Sequence, residues 1–380
     1  MKVGIIGSRG IPARYGGFET FAEALAQGLA EYGHEVVVYS LPEFKSLPFS
    51  HHKIKRVFIK ASKISFLEKV SMSSSSILHS AFSEKNDAII FLGVSGGLLM
   101  WLPKLLKQRT IVNIDGLEWK RSRWGGFIKF ALKTLERLAV KWSDVKIADS
   151  EAIGEYVASE YNKKYEFIPY RVDKCSYQLD DWQQVKDEYK LEKNDYYLIV
   201  GRHVPENNFD ISIKGFLQSN SHKKLVIVSN LKTRKTYTSE VEVNGLPSER
   251  VIFTGPIYDR PKLYALRANA YAYIHGHSVG GTNPSLLEAI SSRNVVLAYN
   301  VPYNREVLSG YGYYYKDGKE LSRLIGFMEK DFRETGREKI LNYYDRILRE
   351  KYNWDIVISK YESLLQKTST SDAQNIFFLS

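Results

Sequence analysis

The sequence predicts an α/β protein of two doubly wound domains, each a parallel sheet covered on both faces by helices. Three observations carry this. The chain has 380 residues, which at roughly 100–200 residues per domain suffices for two domains with their own cores. Short apolar strands alternate with helical segments through the first half. The same alternation restarts after residue 195, and such connections return right-handed to a parallel neighbour.

In the first half, Val3–Gly7 reads as a buried strand. Phe18, Phe21, Ala22, Leu25 and Leu29 then recur at helical spacing until Gly33 ends the helix. Glu35–Ser40, Ala88–Gly93, Thr110–Ile114 and Val145–Ala148 read as further strands. The apolar stretch Ala88–Pro103 is broken by Ser95-Gly96-Gly97. It falls short of the roughly 20 residues a spanning helix needs, so it reads as strand, turn and helix, and the protein is expected not to span a membrane. Ser73–Ser76 reads as a loop. In the second half, Tyr196–Val200, Lys224–Val228, Val251–Phe253, Tyr271–His275 and Val295–Ala298 read as strands, with helices near Asn208–Leu217, Pro261–Arg267 and Pro284–Ser291. The polar stretch Asp173–Asn194 reads as the connection between the halves.

Composition narrows the function classes. The single cysteine, Cys175, allows no disulfide within the chain, which fits a reducing compartment. The N-terminus runs straight into a strand and shows no signal-peptide pattern. The net charge is +11, and residues 1–172 hold 25 Lys and Arg against 17 Asp and Glu. A basic excess of this kind points to solubility alone, or to nucleic acid, an anionic membrane surface or an anionic substrate.

Three constellations carry chemistry. The first strand runs into Gly7-Ser8-Arg9-Gly10-Ile11-Pro12-Ala13-Arg14-Tyr15-Gly16-Gly17, then a helix. Glycines let backbone N–H groups approach a ligand, and a helix start favours an anion, so the loop suits a phosphate. The spacing Gly4, Gly7, Gly10 is not the dinucleotide fingerprint, and the second strand ends in Tyr39-Ser40 with no acid for a ribose. A nicotinamide-dependent oxidoreductase is therefore disfavoured. In the second half, Arg202 stands just past a strand end, placed to pair with a phosphate. The segment His275-Gly276-His277-Ser278-Val279-Gly280-Gly281-Thr282-Asn283-Pro284 opens a helix. Pro284 suits its first turn, the backbone N–H groups of Gly281, Thr282 and Asn283 suit a diphosphate, and Glu288 one turn on suits a sugar hydroxyl.

The chain resembles glycosyltransferase family 4, retaining enzymes of the GT-B fold, in which two Rossmann-like domains with parallel sheets face an interdomain cleft. More narrowly it resembles the bacterial rhamnosyltransferases of cell-wall and capsular polysaccharide synthesis. The residues carrying this are Gly7–Pro12 through Gly16-Gly17-Phe18-Glu19-Thr20, Asp115-Gly116-Leu117-Glu118-Trp119-Lys120-Arg121, Val204-Pro205-Glu206-Asn207-Asn208 and Gly280-Gly281-Thr282-Asn283-Pro284.

The resemblance implies an acceptor-binding domain at 1–172 and a nucleotide-sugar domain at 173–352. It also implies a helix at 353–367 packing back on the first domain; the last residues, Thr368–Ser380, read as a mobile tail. It implies transfer of L-rhamnose from dTDP-L-rhamnose to a polyprenyl-diphosphate-linked sugar (GlcNAc or Glc). Arg202 would pair with the donor diphosphate, and Gly16, Gly17, Asn207, Gly281, Thr282, Asn283 and Glu288 would complete the donor site. Arg14, Tyr15, Glu19, Asp115 and Glu118 would meet the acceptor, with Asp115 and Arg202 as the catalytic pair. Asn207 stands where the broad family carries lysine, Gly280 where it carries a glutamate, and Arg171 where relatives carry glycine. No Asp-x-Asp motif is present and His51-His52 are adjacent, so catalysis without a metal or cofactor is expected.

Residues 119–146 hold eight basic side chains against two acids, with Trp119, Trp124, Phe127 and Phe130 interleaved. That pattern suits an anionic membrane surface. Trp119, Lys120, Arg121, Arg123, Trp124 and Phe127 are the expected contacts, and the expected location is the cytoplasm, peripherally on the inner face of the cell membrane. Two alternatives stand beside this: a UDP- or GDP-sugar donor, and a basic nucleic-acid-binding protein with salt-steep binding. The second lacks a recognisable reading module, so nucleic acid is not an expected partner.

Overall fold

A computed structural model of the chain describes residues 1–13, 17–114, 116–172, 176–230 and 250–367. Arg14, Tyr15, Gly16 and Asp115 lie outside the described residues, as does the stretch expected to be a mobile tail. The chain divides into two compact units, Met1–Tyr170 with the C-terminal segment from Trp354, and Arg171–Asn353. Arg171 is thus the first residue of the second unit.

Unit 1 holds strands β1 (Lys2–Ile6), β2 (Glu35–Ser40), β3 (Ile54–Phe58), β4 (Ala88–Leu92), β5 (Arg109–Ile114), β6 (Val145–Ala148) and β7 (Glu166–Phe167). They form one sheet in the order β3-β2-β1-β4-β5-β6-β7, every pair parallel. Its helices are α1 (Gly17–Glu31), α2 (Ser65–His79), α3 (Trp101–Leu105), α4 (Gly126–Trp142) and α5 (Glu151–Tyr161). Phe21, Ala22, Leu25 and Leu29 of α1 are buried, as their spacing requires of the face laid on the sheet. Gly33, at φ +96°, then turns the chain into β2.

Unit 2 holds α6 (Leu179–Tyr189), β8 (Tyr196–Val200), α7 (Phe209–Leu217), β9 (Lys224–Val228), β10 (Val251–Phe253) and α8 (Arg260–Ala268). These are followed by β11 (Ala272–His275), α9 (Pro284–Ser291), β12 (Val296–Tyr299), α10 (Pro302–Leu308), β13 (Tyr313–Tyr315), α11 (Gly318–Lys330) and α12 (Glu334–Glu350). The sheet order is β10-β9-β8-β11-β12-β13, again all parallel. Both sheets therefore have the doubly wound order that the alternation of apolar strands and helices predicts.

The last helix, α13 (Trp354–Gln366), belongs to unit 1. Trp354 and Tyr361 pack their rings on Phe21, and Glu362 pairs with buried His34. The added Cβ of an alanine at Gly28 of α1 would stand 2.6 Å from Ile358, so the two helices are in close contact.

Two local expectations are corrected. The serine run Ser73–Ser76 lies inside α2, not in a loop. Met72, Ser73, Ser76, Ile77 and Ser80 are all buried, a helical period in which small hydroxyls fill the inward face. Ser73 and Ser95 share a hydrogen bond of 2.8 Å, and tertiary packing overrides the weak helix propensity of serine. The polar connection contains α6, opened by a Gln178 N–H to Asp181 hydrogen bond of 2.7 Å and anchored by buried Trp182 and Val185. Strands β3, β7 and β13 were not anticipated. Each is a sheet edge whose burial is broken by exposed or half-buried positions, so none shows the continuous burial of a central strand.

Candidate active site

In each sheet the order reverses beside its first strand, between β1 and β4 in unit 1 and between β8 and β11 in unit 2. The carboxyl ends of the strands flanking such a reversal are where open α/β sheets take ligands.

In unit 2, the loop after β8 carries Arg202 and a single 3-10 turn, Pro205–Asn207, and Asn208 adopts φ +47° to enter α7. The loop after β11 carries His277, Gly281, Thr282 and Asn283. The two loops are stitched together. The Asn208 amide donates to the Gly276 carbonyl at 2.8 Å, and the Ser278 N–H and hydroxyl both donate to the Glu206 carbonyl at 2.9 Å. Asn207, expected to touch the donor, has both ends of its amide engaged within the protein. Its Nδ2 donates to the Arg202 carbonyl at 2.7 Å and its Oδ1 faces His277 Nδ1 at 2.7 Å. Asn207 thereby fixes the backbone that presents Arg202.

The Arg202 side chain is exposed and makes no hydrogen bond or ion pair among the described residues. Pro284 opens α9, and Asn283 caps it by accepting from the Ser285 N–H at 2.9 Å. Among the described residues the Gly281 and Asn283 N–H groups have no acceptor. One guanidinium and a helix start with unsatisfied donors thus sit at the carboxyl edge of one sheet, chemistry suited to a diphosphate.

Glu288 is partly exposed, and beneath it lies Arg267 of α8, 1% exposed, whose Nη2 donates to the Glu288 carboxylate. The Ser285 hydroxyl donates to the Val200 carbonyl at 3.0 Å and bonds Tyr273 Oη at 2.7 Å. Burial holds the Tyr273 phenol above its ordinary value, with Arg267 partly opposing. Burial, reinforced by the neighbouring His277, pushes His275 well below the usual imidazole range and keeps it neutral. Sequence reasoning missed Arg267, Tyr273 and Ser285. Arg267 looks like an ordinary helix-end cation in the sequence, and only packing reveals that it is buried.

In unit 1, Gly7 and Gly10 adopt φ +117° and +142°, conformations that favour glycine. Glu19, expected at the acceptor, is buried and accepts from the Arg9 N–H at 3.1 Å, while Glu23 accepts from the Ala13 N–H at 2.8 Å. Both carboxylates tether the loop after β1 to α1, whose first residue is Gly17. Phe18, in the first turn of α1, approaches Gly93 in the loop after β4.

Glu118, also expected at the acceptor, accepts from Arg121 (2.8 Å), from Arg123 and from the Trp124 indole (3.2 Å). Burial raises its pKa, but Arg121, Lys69 and Arg123 outweigh that and hold the carboxyl below the usual range. It organises the turn after β5 rather than standing open.

In the basic, aromatic segment Trp119 is half-buried. Its indole donates at 3.2 Å to Glu136, a 1% exposed carboxylate that also accepts from Tyr156 at 2.5 Å and Tyr161 at 2.6 Å. Lys133 lies 4.7 Å over the Trp119 ring and Lys120 5.4 Å from it. Arg121 and Arg123 pair with Glu118, and Arg123 stacks on Trp124 at 4.4 Å. Phe127 and Phe130, one turn apart on α4, are 83% and 72% exposed. No helix among the described residues is long and apolar enough to cross a membrane.

Residues 1–173 match the family model described as a domain of unknown function, DUF1972, and residues 180–333 match the one described as glycosyl transferases group 1. No curated protein matches the chain. Among solved structures, sucrose-phosphate synthase from Thermosynechococcus elongatus superposes with a TM-score of 0.82 at 15% identity, over 97% of this chain and 99% of that one. HepE of Anabaena, solved with UDP-glucose, gives 0.75 at 14% identity over 97% and 100%. WaaG, a glycosyltransferase involved in lipopolysaccharide biosynthesis, gives 0.70 at 11% over 96% and 100%. At these identities the likeness is one of fold, the GT-B fold.

Proposed function

From the premise that residues 180–333 are a glycosyl transferases group 1 domain on a GT-B fold, we propose a retaining transferase with dTDP-L-rhamnose as donor. The acceptor is a polyprenyl-diphosphate-linked GlcNAc or Glc. The observation that carries a nucleotide-sugar donor is the switch point of unit 2, where exposed Arg202 and the Gly281–Asn283 helix start share one edge. Rhamnose rests on the sequence motifs around Gly7–Thr20 and Gly280–Pro284.

In this mechanism the bond from sugar C1 to the diphosphate oxygen breaks as the acceptor oxygen bonds C1 on the same face. The acceptor proton passes to the departing diphosphate. Arg202 and the helix-start N–H groups stabilise the charge that develops there, and no metal or cofactor takes part. Asp115, directly after β5, orients the acceptor hydroxyl. A UDP-sugar donor is the second reading, favoured by the UDP-glucose in HepE.

Thermal stabilisation by dTDP, UDP, GDP and NADH tests the assignment. A nucleotide at 100 times its dissociation constant adds about 2.7 kcal/mol, and dTDP is expected to act alone. A shift with UDP or GDP instead would move the donor to another sugar nucleotide. A shift with NADH alone would overturn the transferase reading.

The protein works in the cytoplasm at the inner face of the cell membrane. Phe127 and Phe130, beside the basic side chains of α4, enter the interface while the cations meet anionic headgroups. Phe127→Ser with Phe130→Ser is expected to abolish cosedimentation with vesicles rich in anionic lipid and leave the melting temperature unchanged. Undiminished cosedimentation would remove α4 as the contact.

A further inference from the structure

We propose that Arg267 is a positioning residue for the nucleotide, acting through Glu288; this deepens the reading of unit 2 as the nucleotide-sugar site. Arg267 is 1% exposed, and its Nε and Nη1 meet no acceptor among the described residues. Only Nη2 is engaged, with Glu288 Oε2 and, at 3.5 Å, with the Ser285 hydroxyl. Stability alone does not explain a buried guanidinium so sparsely satisfied, because an apolar side chain of similar volume would do as well or better there.

What the charge accomplishes is geometric. It grips one carboxylate oxygen of Glu288 from below, while the side chain remains 30% exposed and Oε1 accepts nothing from the described residues. A free glutamate at a helix surface samples several rotamers, and ordering it costs affinity when a ligand arrives. Held by Arg267, Glu288 is already oriented to accept from a ligand hydroxyl. The same guanidinium reaches Ser285, whose hydroxyl ties the first turn of α9 to the Val200 carbonyl, two residues before Arg202. One buried cation therefore sets the carboxylate and joins it to both strand ends of the site. The ligand chemistry that fits is a nucleoside diphosphate whose ribose hydroxyl donates to Glu288.

The test is isothermal titration of the full chain, unaltered and as Arg267→Met, Glu288→Gln and the double variant, with UDP and with 2′,3′-dideoxy-UDP. dTDP and its 3′-deoxy counterpart replace them if dTDP is the nucleotide that binds. The unaltered protein is expected to prefer the hydroxyl-bearing nucleotide by roughly tenfold or more, the scale of one hydrogen bond to a charged group. Arg267→Met and Glu288→Gln should each erase that preference, and the double variant should bind no more weakly than the weaker single one. Should Arg267→Met not fold, Arg267→Gln, which removes the charge and keeps a polar side chain, decides by the same comparison. Retention of the hydroxyl preference in the Arg267 variants, or additive losses in the double variant, overturns the role of Arg267 alone. An unaltered protein that binds no nucleoside diphosphate overturns the donor-site reading as well.

Discussion

With the proposed function, Arg202→Ala is expected to lower kcat/KM for the nucleotide sugar by about 10²–10³, the cost of removing one preorganised donor from a developing oxyanion. The folded chain is left within about 0.5 kcal/mol of its original stability, as for a surface substitution. The two halves of this expectation have separate origins. The guanidinium makes no hydrogen bond or ion pair among the described residues, so its removal breaks no internal network. Its backbone is nevertheless fixed, because Asn207 Nδ2 holds the Arg202 carbonyl at 2.7 Å. An exposed cation on a clamped backbone is preorganised for an anion. Arg202→Lys should recover only part of the loss, since an ammonium cannot pair two oxygens as a fork does. Steady-state kinetics beside a thermal melt checks both halves. Turnover within threefold of the original would place the diphosphate elsewhere.

Gly276→Ala has the larger effect on folding, a loss of about 3 kcal/mol by overpacking, and it removes nucleotide binding with it. A Cβ at this position would stand 2.1 Å from the Asn207 carbonyl oxygen, which is backbone and cannot swing aside. Relief requires the loop after β8 to part from the loop after β11. That breaks the Asn208–Gly276 and Ser278–Glu206 hydrogen bonds and loosens the seat of Arg202. Gly326→Ala is the control. It lies inside α11 with nothing within 4 Å of the added carbon, so it should stabilise by up to about 1 kcal/mol through helix propensity. Urea melts of the two variants, with nucleotide titration of Gly276→Ala at low denaturant, distinguish a packing failure from a general effect of losing glycine. A Gly276→Ala protein with unchanged midpoint would show that the two loops separate at little cost.

The glycine and arginine positions behind these expectations were legible as loop positions in the sequence. Arg202 follows an apolar strand, and Gly276 lies between two histidines just after another. The local signal ended there. That Glu19 holds the Arg9 N–H, that Asn207 reaches His277, and that Trp119 is folded onto Glu136 depend on partners ten or more residues away, whereas Glu118 turns back on Arg121, Arg123 and Trp124 within its own turn. Seventy residues separate Asn207 from His277. The resemblance assigned Glu19, Glu118 and Asn207 to ligands; the acceptors and donors inside the protein that also engage them are invisible until the chain is closed.

The sequence by itself determined the two α/β units, the central strands of both sheets and the glycine-rich loops that leave them. These are written in apolar runs and helical periods a few residues long, which local sterics and burial enforce. Tertiary structure alone decided the edge strands β3, β7 and β13, the serine-lined helix α2 and the burial of Arg267 under Glu288. An edge strand is half exposed, a serine joins a helix when its inward face is covered, and a cation is buried only where a neighbouring element closes over it. Each is a property of what packs against the residue, and the residue's own neighbours in the chain do not specify it.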